Sequence, residues 1–490
     1  MRRLWILLAC SCWLQACAQP SAAVHRHIEA LSSDRPTFEP GDKVEQFDAE
    51  AGVFRVHFTR SGRHAVPADD LDADGIPDYV TRVAADFDRV MAFYKELGYR
   101  EPPRDSTVPG EHGGDDRFDV YLMEFAIGGA DGQFLADTGC SSEPCGGYMI
   151  LENDFKNKGY ATLELAIRLV SSHELFHAIQ SAYASNISGL LSEGTAVWAS
   201  EAFDAEAGDL ERQARPYFER PDSSLAEDPS GTDPIRYGAS IFFEHIDEHA
   251  DRIALRRMFE LLADTGNAWP AALDAALKEQ DSSIAEQFAS FAQWNLFTAD
   301  RADPERAYKR GDTLPKLKET DIQPGFRDEA VRVFPLAARY YTLQTVAAES
   351  VIAKAELSDD KGVADLQLMI AVEHSGDITS VEHAEPMKSR ELEVELGAGD
   401  TAHIVLFNTA HSGGSIRPDL CIATQSTQKL CEPKADTASK SDSGCAVLAR
   451  RSQPSALWLL SLSAAALASR RARSRRRAPR QLAASNVARA

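Results

Sequence analysis

The stretch that most constrains what this chain can fold into runs from about residue 162 to about 184. Leu163, Leu165, Ala166, Ile167, Leu169 and Val170 cover more than one side of the helix that their spacing predicts. A helix apolar on most sides packs between other elements. Thr162 is its expected N-cap. The middle of the run reads Ser172-His173-Glu174-Leu175-Phe176-His177-Ala178. At 3.6 residues per turn, His173 and His177 stand one above the other on one face. Two imidazoles are therefore carried to the floor of a cleft rather than onto an open surface. At this spacing both can reach one Zn²⁺. Glu174 lies about 100° further round the helix, placed to accept a proton from water without ligating the metal.

A tetrahedral catalytic zinc takes three protein ligands and keeps one position for water. No His-x-x-Gly-x-x-His continuation follows His177. The downstream carboxylates that fit are Glu193, at the start of a second expected helix (193–201), and Glu201.

A second polar cluster precedes this helix. Asp70, Asp72, Asp74, Gly75, Ile76 and Asp78 match positions 1, 3, 5, 6, 7 and 9 of a calcium loop, Ile76 giving its carbonyl. Position 12 is Thr81 rather than a bidentate Glu, so the expectation is a shorter loop than an EF-hand.

Composition sets outer limits. The chain has 490 residues, enough for two or three domains, and a net charge of −23. That charge argues against a nucleic-acid partner, because phosphate contact needs a basic face. Both ends read as addresses. Residues 1–20 carry Arg2 and Arg3 ahead of an apolar run, the pattern of an export signal. Leu14-Gln15-Ala16-Cys17 resembles a lipoprotein processing box with Cys17 as the acylated residue. Export makes two local disulfides expected, Cys140–Cys145 and Cys421–Cys431. At the other end, Ser443-Gly444-Cys445, a short apolar helix and a run of arginines resemble the C-terminal sorting signals of myxobacterial surface proteins. That resemblance implies processing at Cys445 and transient membrane contact through the two ends.

The order of motifs also carries a wider resemblance. Leu191-Ser192-Glu193-Gly194-Thr195-Ala196-Val197-Trp198 is similar to the Glu-Gly-x-Ala segment of the gluzincins, in which the Glu is the third zinc ligand. Gly75 to Val80, Leu97 to Pro103, Arg117 to Leu122, Asn153-Asp154-Phe155, His173 to Gln180 and Glu193 to Ala196 together resemble a family of secreted bacterial, largely myxobacterial, zinc metalloproteases. The resemblance spans about residues 50–250. It implies His173, His177 and Glu193 around zinc, and hydrolysis of a peptide bond by a zinc-activated water with Glu174 as general base. It also implies a donor to the oxyanion, for which Tyr237 and Tyr183 are candidates, and a strand at 148–151 that binds extended substrate. One position departs from the gluzincin pattern. Val197 stands where an Asp would orient the first histidine, leaving Asp154 and Glu201 as candidates for that task.

The expected architecture is α+β: a zincin-like domain over 51–300, with a small sheet, the active-site helix and a helical subdomain, then a small antiparallel β-sandwich over 331–432. Residues 21–50 and 301–330 read as linkers, 433–453 as a spacer and 454–490 as the sorting tail. The expected function is a secreted, cell-surface metallopeptidase acting on protein or peptide substrates. The alternative is a surface-anchored binding or adhesion protein whose peptidase-like domain is inactive.

Overall fold

The computed structural model describes residues 35–104, 113–125, 130–137, 144–329 and 331–432. The signal, Cys17, Cys140, Cys445 and the two C-terminal segments lie outside them. The architecture is mixed α and β. The first sheet contains β1 (Val44–Asp48), β2 (Phe54–Thr59), β3 (Phe118–Met123), β4 (Gly132–Ala136) and β5 (Gly147–Glu152), in the order β1-β2-β3-β5-β4. β2, β3 and β5 run parallel, while β1 and β4 are antiparallel edge strands. Alternation along β3 divides its side chains between two faces. Phe118, Val120 and Leu122 join the main core, to which α1 (Asp78–Glu96) and α2 (Leu163–Ser181) contribute. Tyr121 lies in a small separate cluster with Leu135 and Tyr148.

Three expectations change here. β1 falls inside the segment read as a linker. Its side chains alternate between exposed and half-buried, so it carries little apolar signal. β4 is a short strand that opens on glycine, and it too escapes a pattern search. The expected strand at 148–151 exists as β5, but β5 is hydrogen-bonded on both sides, by β3 and β4. It has no edge left for a substrate; the edge strands of this sheet are β1 and β4, and β4 is the one beside β5.

The helices follow as α3 (Gly189–Phe203), α4 (Asp209–Gln213), α5 (Arg215–Glu219), α6 (Ile235–Gly238), α7 (Ser240–His245), α8 (Arg252–Leu261), α9 (Trp269–Lys278) and α10 (Ile284–Trp294). Thr162 caps α2 by accepting from Leu165 N, as its position predicts. α3 begins at Gly189, capped by Ser188, so Glu193 is already inside the helix. Residues 235–251 form α6, α7 and a π-helical turn, Ile246–Asp251, rather than one regular helix. Asp251 then caps α8 through Ile253 N.

The C-terminal part is two sheets face to face. One contains β6 (Thr320–Asp321), β8 (Ala337–Gln344), β10 (Leu366–His374), β11 (Asp377–His383) and β13 (Thr401–Asn408), in the order β11-β10-β13-β8-β6. The other contains β7 (Phe326–Asp328), β9 (Glu349–Glu356), β12 (Ser389–Leu396) and β14 (Asp419–Thr424), in the order β12-β9-β14-β7. All pairings are antiparallel except the two-residue β6 with β8. Ala402, Ile404 and Leu406 of β13 point between the sheets. Val405 and Phe407 point the other way, into the helical core. Tyr340 Oη donates to Ala292 O of α10 at 3.0 Å, and Phe407 meets Phe288 of α10. The sheet that holds β13 is thus covered on both faces, by the second sheet and by the helices.

The segment 301–330 is correspondingly not a free linker. Ala307, Tyr308, Leu314 and Leu317 are buried, and Arg301 is 6 % exposed. Arg301 Nη2 meets Glu319 at 3.0 Å, its Nη1 lies 3.7 Å from Glu373, and His403 bonds both carboxylates at 2.7 and 3.0 Å. Charge in this segment suggested solvent, but the charges are paired inside. Cys421 and Cys431 form the expected disulfide, and Cys145 is also disulfide-bonded. Among the described residues no helix is long and apolar enough to cross a membrane.

Candidate metal centre

α2 lies under the first sheet, and its second half is buried on every side. His173 and His177 are 2 % and 4 % exposed, Glu174 0 %. α3 packs against α2 and brings Glu193, 4 % exposed, to the two rings. The Nε2 atoms of His173 and His177 face each other at 3.1 Å. Glu193 Oε2 lies 3.3 Å from the first and 3.6 Å from the second. One donor atom from each residue falls within 4.8 Å of the other two. Two imidazole nitrogens and one carboxylate oxygen form a donor set that suits zinc. Gly194, next to Glu193, lets α3 approach its neighbours: a Cβ there would stand 2.8 Å from the Phe243 ring.

The partner of one ring is explicit. His177 Nδ1 lies 2.9 Å from Gln180 Oε1 and 3.2 Å from Ser192 Oγ. Burial disfavours a charge on His177, but the bonded Glu193 carboxylate and the nearby Glu174 outweigh it and raise its pKa to about 9. Without a metal, the pocket therefore holds a proton that a metal has to displace.

Glu174 is fixed from the sheet side. Its Oε2 accepts from the Phe134 amide of β4 at 2.8 Å. Gly132 makes this approach feasible, since a Cβ there would lie 2.8 Å from Glu174 Cγ and 2.4 Å from Val170 Cγ1. The Tyr237 ring stacks on His173 with centroids 6.3 Å apart. Tyr183 does not share this location; its hydroxyl accepts from Arg100 N, and its ring packs on Phe259. Asp154 sits in a separate group with Glu124 and Glu152, where Lys158 bonds Glu152 at 2.8 Å. Glu201 pairs with Arg310; burial and the adjacent Glu211 push its carboxyl up to about 8 against that guanidinium. Sequence reasoning missed Gln180, although it stands within the quoted motif, and Phe134, whose contribution is a main-chain N–H.

In the acidic loop, Asp70, Asp72 and Asp78 converge. Asp74 turns instead to its own backbone, accepting from Ile76 N at 2.7 Å. Asp70 also accepts from Gly75 N, and Asp78 from Leu71 N, so the loop is closed by its own carboxylates.

No family model matches the chain, and no curated protein matches it. Among solved structures, the pre-peptidase C-terminal domain of a collagenase from Bacillus anthracis is 9 % identical, covering 21 % of this chain and 94 % of its own, with a TM-score of 0.18. A periplasmic inhibitor of g-type lysozyme from Aeromonas hydrophila is 13 % identical, covering 22 % of this chain and 98 % of its own, with a TM-score of 0.16. A family GH115 4-O-methyl-α-glucuronidase is 10 % identical over 53 % of this chain and 39 % of its own, with a TM-score of 0.14. At such scores they say nothing of the site.

Proposed function

We propose that this chain is a secreted, cell-surface zinc metalloendopeptidase with a zincin-like catalytic body. The observation that carries the reading is the buried convergence of His173, His177 and Glu193 with Glu174 on the same helix. The donor set fits the metal: two imidazoles and a carboxylate are the ligands of one common class of catalytic zinc. His173, His177 and Glu193 would hold it. Bound there, zinc supplies a Lewis acid for a scissile carbonyl and lowers the pKa of water to about 7.

The chain's own groups do the rest. Glu174 accepts the proton of the attacking water and returns it to the leaving amine. The Phe134 amide holds one oxygen of that carboxylate, fixing where the base points. Tyr237, stacked on His173, is the donor assigned to the developing oxyanion. The outer edge of β4 offers main-chain groups to an extended peptide, which would bind as an added strand. Export is supported by the N-terminal pattern and by a disulfide at Cys421–Cys431. Asp70, Asp72 and Asp78 are assigned to calcium as a separate, structural site.

The test compares wild type with Glu174→Gln for zinc content and for cleavage of an unfolded protein substrate. Both are expected to hold one zinc, with the variant slower by about 10²–10⁴-fold. Undiminished cleavage by the variant would overturn the mechanism. Zinc retained by a wild type that cleaves nothing would favour the binding or adhesion reading.

A further inference from the structure

The ligand His177 is held by a neutral side chain from its own helix, and that side chain reaches into the helix of the third ligand. Gln180 is 3 % exposed. Its Nε2 donates to Ser192 O and to Thr195 Oγ1, both at 2.8 Å. A main-chain carbonyl can only accept, and the Thr195 hydroxyl donates onward to Leu191 O at 2.7 Å. The amide orientation is therefore fixed, and Oε1 has to face His177. An amide oxygen only accepts, so Nδ1 of His177 carries the proton and Nε2 is the atom turned toward His173 and Glu193.

Ser192 and Thr195, the two anchors of the amide, flank Glu193 along α3. One side chain thus sets the tautomer and tilt of His177 and the register of the helix turn that carries Glu193. We propose that Gln180 is the positioning residue of this centre, doing with a neutral amide what a carboxylate commonly does for a metal-ligating histidine. This rests on the zinc reading of the site. It also places an orienting group three residues after His177, within the same helix, in a chain that has Val197 where gluzincins carry an Asp on the following helix.

The variants that test it are Gln180→Leu, which removes both functions, Gln180→Glu, which keeps an acceptor for Nδ1–H, and Thr195→Val, which removes one anchor. Zn²⁺ affinity is measured by competition with a chromophoric chelator, and Co²⁺ is substituted to record the visible ligand-field spectrum. Circular dichroism of the metal-free proteins sets a temperature at which all are folded. Gln180→Leu is expected to weaken metal binding by about 10–100-fold and to shift the Co²⁺ bands. Gln180→Glu should recover part of both, and Thr195→Val should weaken binding in the same direction by less. Wild-type affinity and spectrum in Gln180→Leu and Thr195→Val would overturn the positioning role while leaving the zinc reading intact. A Gln180→Glu no better than Gln180→Leu would reduce Gln180 to packing and overturn it likewise. A wild type that binds neither metal stoichiometrically would remove the zinc reading and this proposal together.

Discussion

The joint between helices and sandwich and the pocket at the foot of α2 both bury histidine beside carboxylate, and they are built differently. At the joint between helices and sandwich, His403 bonds Glu319 and Glu373 while the Arg301 guanidinium lies 3.0 and 3.7 Å from the same pair. The chain brings its own cation, so the cluster is complete as folded. At the foot of α2, Glu193 meets two imidazoles whose Nε2 atoms are turned toward each other. Two N–H groups cannot point at one another at 3.1 Å, so at least one nitrogen presents a lone pair. The first arrangement ties elements together; the second brings two imidazole nitrogens and a carboxylate oxygen to one point, the donor set proposed for zinc. Buried charge is thus common to the two regions, and what sets the second apart is one donor atom from each of three side chains within 4.8 Å of the others.

The largest effect is expected from removing the joint's cation. Arg301→Ala leaves Glu319 and the partly exposed Glu373 without their guanidinium and is expected to cost about 3 kcal/mol, read as a lower urea midpoint. Zinc should not restore it, and an unchanged midpoint would mean the joint is not held by this cluster. The sheet face carrying Val405 and Phe407 would then have to bear the contact alone.

pH should separate the two regions as well. The folded pKa of His177 is raised above the usual 6.5 to about 9, so its contribution to metal-free stability is complete below 6.5 and is lost as pH rises through 9. The loss amounts to about 3 kcal/mol at most, by 1.36 kcal/mol per unit. Metal binding runs in the opposite sense: it displaces that proton, so affinity should rise about tenfold per pH unit up to about 9. Thermal melts with zinc and with chelator, across pH 6 to 10, should diverge as pH rises. Parallel curves would contradict the linkage.

The acidic loop provides the mildest contrast, carboxylates without imidazole, with Asp70 and Asp78 half-buried and Asp72 exposed. Millimolar calcium at a site of roughly 10⁻⁴ M affinity adds about 1.4 kcal/mol. A melting temperature that is the same in calcium and in EGTA would remove that site from the account.

How far the sequence reached follows the same division. The helical period carried His173, Glu174 and His177 to one buried helix, and Thr162 marked its start, because both signals are local. The alternating runs after residue 330 became strands for the same reason. β1 and β4 were not legible, since half-exposed or glycine-led edge strands lack an apolar rhythm. Arg301 read as solvent because its partners, Glu319, Glu373 and His403, are distant in sequence. β5 looked like a substrate edge because a strand pattern does not say what lies beside it. Gln180 was in view as a letter of the motif; its task appears only when Ser192 and Thr195 of α3 come to lie against it.

Everything proposed for the α2–α3 pocket depends on its binding zinc. The most direct test is crystallographic, an anomalous difference map at the zinc edge from protein purified without chelator. One strong peak is expected, bonded at about 2.0–2.2 Å by His173, His177 and Glu193. No peak there after growth in zinc, or a peak held by other side chains while these three stand apart, would contradict it.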